Sequence, residues 1–495
     1  MADVAATLVG WSSTTGSNAP SDGATVGSGL DDNLREIQGV IVRGLSNKGA
    51  DIASATTTDL GAVEGLMHDI TGTTTITSFG TVRAGIWKVI KFEGALTLTH
   101  NATSLILPGA ANITTADGDV AIVISEGSGN WRCLNYVMAS VSPLSNASNT
   151  AAYNAIIGGD FSTNPWQRGT SFAAPAATTY TADRWSQFNN SGAVYTVSKS
   201  ADAPTLAQAG TLITHCMLID TTTSDAAVAV GDFIVTYQKI EGYNFRALAQ
   251  RSMALQFWHK HTKVGTYCVA VQNAGQDRSY VTEYTQAVSD AWEYTSLVIP
   301  ASPSAGTWDY TTGTGLTLYF TQMAGATYQT AANVWTAGNF YGTANQVNAV
   351  DDVANNFRLA AIDLRPGNVV FPVQSRDVGT EKLLAYRYYW EWQAGATADV
   401  VCVAQAYNTT QSQGVISLPV TMRVAPTLSV SAAGDFKTLQ ASGSGSDACS
   451  SVTLLSANKV SAALEFTSAN LVAGDATRVD AGGSASAKLK FDSEL

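Results

Sequence analysis

The sequence predicts a mainly β protein of several modules, with one short helix near its N-terminus. Three observations carry this. Charged residues make up only 13% of the chain and hydrophobic residues 45%, against a typical charged share of about 25%. That balance can fill sizeable cores, and it is the reverse of the charge-rich, apolar-poor signature of disorder. Apolar runs alternate with polar residues and stop at Gly, Pro and Asn clusters, which is the pattern of short strands and tight turns. Helical spacing is clear over one stretch only. The length of 495 residues suggests about three domains at ~150 residues each.

Charge and cysteine usage exclude several classes. The formal net charge is −12, and no Lys/Arg run offers the basic patch that phosphate neutralisation needs. We therefore expect no nucleic-acid partner. The acidic balance disfavours anionic lipid, and no run approaches the ~18–20 apolar residues of a membrane span. The opening MADVAATLVGWSS lacks the basic and apolar regions of a secretory signal. Synthesis in a cytoplasm is the expectation. Five cysteines (Cys133, Cys216, Cys268, Cys402 and Cys449) lie far apart without a CxxC, so they read as buried free thiols.

Residues 1–47 read as an arm followed by the helix LDDNLREIQGVIVRGL. Leu30, Leu34, Ile37 and Ile41 are spaced four, three and four, a heptad seam. Asp31 and Asp32 suit the positive end of the helix dipole. A helix of this length is marginal alone in water, so it must pack on a copy of itself or on another surface. Residues 48–140 read as a small β module, with VAIVISEGSGNWRCLNY a hairpin around Gly127-Ser128-Gly129-Asn130. Residues 141–155 are a Ser/Ala/Asn linker. Residues 156–375 open on IIGGDFSTNPWQRG and run through many strands, among them SMALQFWHKH, TYCVAVQN, YVTEYTQAV, WEYTSLVIP and LTLYFTQM. Many strands with almost no helix make a two-sheet sandwich the economical fold. Trp166 and Trp185 read as packing anchors, and Trp258 and Trp292 as core. Residues 376–495 form a last β module, with a helix-like segment before Tyr386-Arg387-Tyr388-Tyr389 and strands in LPVTMRVAPTLSV and KLKFDSEL.

Several of these strings carry a family resemblance. LTLTHNATSLILPGAANITTADGDVAIVISEGSGNWRCLNY resembles a module of tail-fibre-like proteins of tailed bacteriophages. GGDFSTNPWQRG, ADRW, FWHKHTKVGTYCVAVQN, GTWDYTTGTGLTLYF and FRLAAIDLRPGNVVFPV resemble the jelly-roll, carbohydrate-binding-module-like domain of phage tail fibres. The Arg387-Tyr388-Tyr389 segment, LPVTMRVAPT and the final FDSEL resemble the C-terminal module of the same proteins. The sequence departs at His259 and His261, where smaller residues are expected, and at Ala385-Tyr386, where a Cys is common. The resemblance implies a homotrimeric virion fibre. Its N-terminus would dock on a phage tail or on an adaptor or portal-proximal protein, and its β domains would bind a bacterial surface glycan. A capsule-depolymerising tailspike and a purely structural capsid or neck fibre are the alternatives. A tailspike would normally carry a long repeated β-helix, and no repeat is present.

No catalytic site is expected. Glu283 with Glu293, and Glu391 with Asp399, are the carboxylate pairs to test for glycoside hydrolysis. His259 and His261 share a strand face but lack a third metal ligand, and we expect a polar strand face there. GxSxG, HExxH and P-loop patterns are absent. Asp160 and Asp363 occupy places where carbohydrate-module jelly rolls hold a structural calcium, an ion that wants six to eight oxygens; beyond this, no cofactor is expected. Sugar recognition is expected from aromatics in loop-like sequence: Trp308, Tyr310, Tyr328, Trp335, Phe340 and Tyr341.

Overall fold

A computed structural model describes residues 30–46, 48–139, 153–368, 375–440, 446–482 and 484–495. The N-terminal arm and most of the expected linker lie outside these residues. The chain divides into two units, Met1–Ser148 and Asn149–Leu495, and it is mainly β.

In the first unit the helix runs Leu30–Ser46. Arg43 near its end bonds Glu36 at 2.8 Å and Glu64 at 2.5 Å. Among the described side chains of the helix Val40 is buried, and Leu30, Leu34 and Ile41 stay 50%, 50% and 41% exposed. The heptad seam therefore faces away from its own unit, with Ile37 half-buried. The β module is built on a six-stranded sheet. Val120–Gly127 and Asn130–Val137 form the expected hairpin, turning through Ser128 and Gly129 at positive φ. Its inward faces join Phe79, Ile90, Phe92 and Trp131 in one core.

The second unit opens with the sandwich. Residues 153–155, assigned to the linker by sequence, are already part of it. Ala155 N–H bonds Leu364 O at 2.9 Å and packs in the core. One sheet has seven strands, in the order Thr179–Tyr180, Ser186–Asn190, Phe233–Glu241, Thr314–Ala324, Gly265–Asn273, Ser279–Gln286 and Trp335–Thr336. The other has six: Glu293–Ile299, Met253–His261, Asn356–Pro366, Cys216–Thr223, Val194–Ser200 and Ser171–Ala173. All neighbours pair antiparallel. Alternate residues such as Ile234, Ile240, Phe257, Val269, Leu318 and Phe320 meet between the sheets.

The last module begins with the helix Val378–Tyr386, capped by Asp377. Trp390, Trp392, Phe436, Phe466 and Phe491 share its core. The expected strand through LPVTMRVAPT does not form there: strand structure resumes only at Thr427–Val430. Pro419 and Pro426 supply no N–H to a ladder.

The stretch Ile156–Trp185 is the seam between sandwich and last module. Trp185 is fully buried beside Phe161 and Phe320, and its indole N–H bonds Gly158 O at 3.1 Å. Arg168 lies over the Tyr389 ring at 3.5 Å and Arg184 over Tyr388 at 3.6 Å. Arg184 also pairs with Glu494, and Glu241 takes Arg387 at 2.6 Å and Tyr388 at 2.7 Å. The partner this stretch grips is the C-terminal module.

Candidate functional site

The seven-stranded sheet has aromatic residues on both faces. On Phe233–Glu241, Ile234 and Ile240 enter the core, while Phe233, Val235 and Tyr237 face outward. Tyr319 joins them from Thr314–Ala324, as do Cys268 and Ala270 from Gly265–Asn273. A strand apolar on both faces needs cover on both. Here the cover is partial and comes from the loop after Ala324. Gly325 starts it, because a Cβ there would collide with the carbonyls of Ala229 and Val230. The loop is pinned by Thr321 to Tyr341 O at 2.6 Å and by Gln272 to Asn339 and Phe340 at 2.8 and 2.9 Å. It hides Cys268, Ala270 and Val281 completely.

The loop stops short of the sheet edge and leaves a groove of about 370 Å³. Its floor is Phe233, Tyr237 and Tyr319; Phe188 stands on one side, Tyr328 and Tyr341 on the other. Phe188 stacks on Phe233 at 5.0 Å, Tyr341 on Phe233 at 4.8 Å, and Tyr328 meets Phe233 edge-on at 4.6 Å. Asn190, Gln276, Asn339 and Lys239 supply polar groups around the rings. Burial raises the pKa of Tyr237, Tyr319 and Tyr341, so these phenols stay neutral and able to donate. Burial, with Arg184 and Arg423 nearby, lowers the pKa of Lys239, and its Nζ donates to Leu495 O at 2.8 Å. Flat rings beside amides and hydroxyls can hold the apolar faces and edges of a sugar.

The six aromatics expected from sequence separate into two places. Tyr328 and Tyr341 line the groove, and Phe340 packs beside it. Trp308, Tyr310 and Trp335 form a second cluster against the core. Phe245 lies parallel to Trp308 at 5.2 Å and to Tyr310 at 5.9 Å. Both indole N–H groups are spent on backbone, Trp308 on Ala305 O at 3.1 Å and Trp335 on Pro300 O at 3.2 Å. Phe188, Phe233, Tyr237 and Tyr319 were not singled out by sequence. For Phe233 and Tyr237 the signal is the alternation in FIVTYQKIE, which puts large apolar residues on the face opposite Ile234 and Ile240.

The acids tested for catalysis are held by local structure. Glu283 accepts from Thr343 and from Asn345 at 2.5 and 3.1 Å. Glu293 caps the amides of Ala287 and Val288. Glu391 pairs with Lys488 at 2.7 Å, and Asp399 caps Gly395 and Ala396. His259 and His261 do not form the expected polar strand face: both are fully buried inside the sandwich. Their polar atoms are satisfied there, His259 by Gln286 and Thr295 at 2.9 Å each, His261 by Tyr284 at 3.2 Å. Desolvation holds His259 down to about 4 and His261 well below its usual value.

Asp160 and Asp363 do line one small cavity of about 20 Å³. Asp363 is engaged by Arg365 and Gln256, and Asp160 by Ser375 and Ser162. The nearby oxygens of Asn154, Ile156 and Glu381 are held by the guanidinium of Arg376. Among the described residues no group of three or more His, Cys, Asp or Glu could hold a metal. All five cysteines are free and buried, as expected.

Comparison with known proteins gives no family. No family model matches the chain, and no curated protein matches it. Among solved structures, a family 11 carbohydrate-binding module from Clostridium thermocellum in complex with a β-1,3-1,4-mixed-linked tetrasaccharide is 10% identical over 41% of this chain and 98% of that one, with a TM-score of 0.23. The C-terminal family 22 carbohydrate binding module of Clostridium thermocellum Xyn10B is 12% identical over 42% of this chain and 100% of that one, with a TM-score of 0.23. An arabinose-bound α-L-arabinofuranosidase is 11% identical with a TM-score of 0.22, and the match spans 41% of this chain and 26% of that enzyme. Values this low carry no argument about function.

Proposed function

We propose that this protein is a non-enzymatic, glycan-binding fibre of a tailed-bacteriophage virion, and that the outer face of the seven-stranded sheet is its receptor site. The observation that carries the reading is the groove: six aromatic rings with amides and phenols around them, left open beside a loop that covers the rest of the face. The first unit supplies the attachment side. Its helix keeps Leu30, Leu34 and Ile41 exposed, a seam suited to a parallel bundle of three chains. The N-terminal arm then docks on a tail, adaptor or portal-proximal protein. Three copies would turn a weak single-site affinity into firm attachment to the bacterial surface by multivalency.

The test uses the full chain. Light scattering is expected to give three times the 51.7 kDa chain mass, and a stable monomer contradicts the fibre. Binding to host-cell polysaccharide is expected without breakdown, and release of oligosaccharides from it would establish the tailspike alternative. Binding that survives loss of the Phe188 and Tyr328 rings would place the receptor site elsewhere.

A further inference from the structure

Resting on that reading, we infer that the groove selects uncharged glycan and rejects chains bearing uronate, sialate or phosphate. The chain as a whole is acidic, with a net charge of −12, yet among the described residues no carboxylate lines the groove. The one charged lining residue among those described is Lys239, whose ammonium group is committed to Leu495 O at 2.8 Å. The cations beyond that end are also occupied. Arg184 pairs with Glu494, and Arg168 with Glu494 at 3.3 Å and Asp183 at 3.2 Å.

What the groove offers instead is neutral. Gln276 hydrogen-bonds the Tyr319 side chain and Asn339 that of Tyr341, and Asn190 is anchored on Gly231 O at 2.8 Å. These amides and phenols are oriented before a ligand arrives, and both exchange hydrogen bonds with sugar hydroxyls. An anionic substituent would leave water for a groove without an available cation, and an uncompensated charge costs far more to desolvate than a hydroxyl that finds a partner.

The test is a glycan array holding neutral, uronate-bearing, sialylated and phosphorylated chains. It is probed with the full chain and with Phe188→Ala and Tyr328→Ala, at about 50 mM and about 500 mM NaCl, which changes the screening length roughly threefold. The expected result is that every glycan lost in the variants is uncharged and that its affinity differs less than about twofold between the two salts. Retention of an acidic glycan that both variants lose, and that weakens about tenfold or more at high salt, overturns the inference and leaves the glycan reading standing. Retention that neither variant alters places the receptor site outside the groove and overturns the inference, and no retention at all removes the glycan reading and the inference with it.

Discussion

Two aromatic clusters sit on the sandwich, built from the same residue types and split from one sequence-level set. Around Phe245, the rings of Trp308, Tyr310 and Trp335 close the core, and both indole N–H groups are used up on neighbouring carbonyls. Around Phe233, the rings of Phe188, Tyr237, Tyr319, Tyr328 and Tyr341 surround open space, and amides stand beside their hydroxyls. Aromatic content therefore does not mark a recognition surface here. What separates the clusters is whether a concavity remains beside the rings.

The largest effect expected would remove the sandwich beneath both clusters. The fold keeps His259 neutral down to about 4 and holds His261 well below its usual value, while the unfolded chain protonates both below about 6.5. Stability is then complete above pH 6.5 and falls as pH drops towards 4, by on the order of 3 kcal/mol for His259 alone at about 1.4 kcal/mol per unit. Denaturant titrations at several pH values read this, and His259→Gln should flatten the dependence. Next, Trp308→Ala should cost about 2–3 kcal/mol of stability and leave glycan affinity unchanged; a matching loss of affinity would erase the distinction between the clusters. Third, Tyr328→Ala should weaken binding about tenfold, or ~1.4 kcal/mol, with the thermal midpoint nearly unmoved. Smallest, the helix seam should act on assembly alone: Leu34→Gln with Ile37→Gln should lower the mass by light scattering and leave the intrinsic single-site affinity of the groove intact.

Much of the architecture could be read from sequence because it depends on local alternation. The hairpin Val120–Val137, the strands of the sandwich and the buried anchors Trp166 and Trp185 all follow from short-range patterns and turn residues. Pro419 and Pro426 were equally local, and their effect on the expected strand was readable but outweighed by the apolar run. The groove was only partly legible. Tyr328 and Tyr341 lie in loop-like sequence that invites a functional reading. Tyr237 and Tyr319 lie in strands, where nothing in the local pattern tells a second apolar face covered by a loop from one left open. His259 and His261 show the opposite failure. Imidazoles on an alternating strand suggest a wet face, and only the long-range partners Gln286, Thr295 and Tyr284 make their burial affordable. The grip of Arg184 on Glu494 spans 310 residues, a separation that no spacing rule reaches.

The most direct test of the account is calorimetric titration of host surface polysaccharide into the full chain, alongside Phe188→Ala and Trp308→Ala at equal folded concentration. The account predicts binding by the parent chain, about tenfold weaker binding by Phe188→Ala, or ~1.4 kcal/mol, and parent-like binding by Trp308→Ala. Binding lost in Trp308→Ala and kept in Phe188→Ala would move the receptor site to the other cluster and contradict the groove as the centre of function.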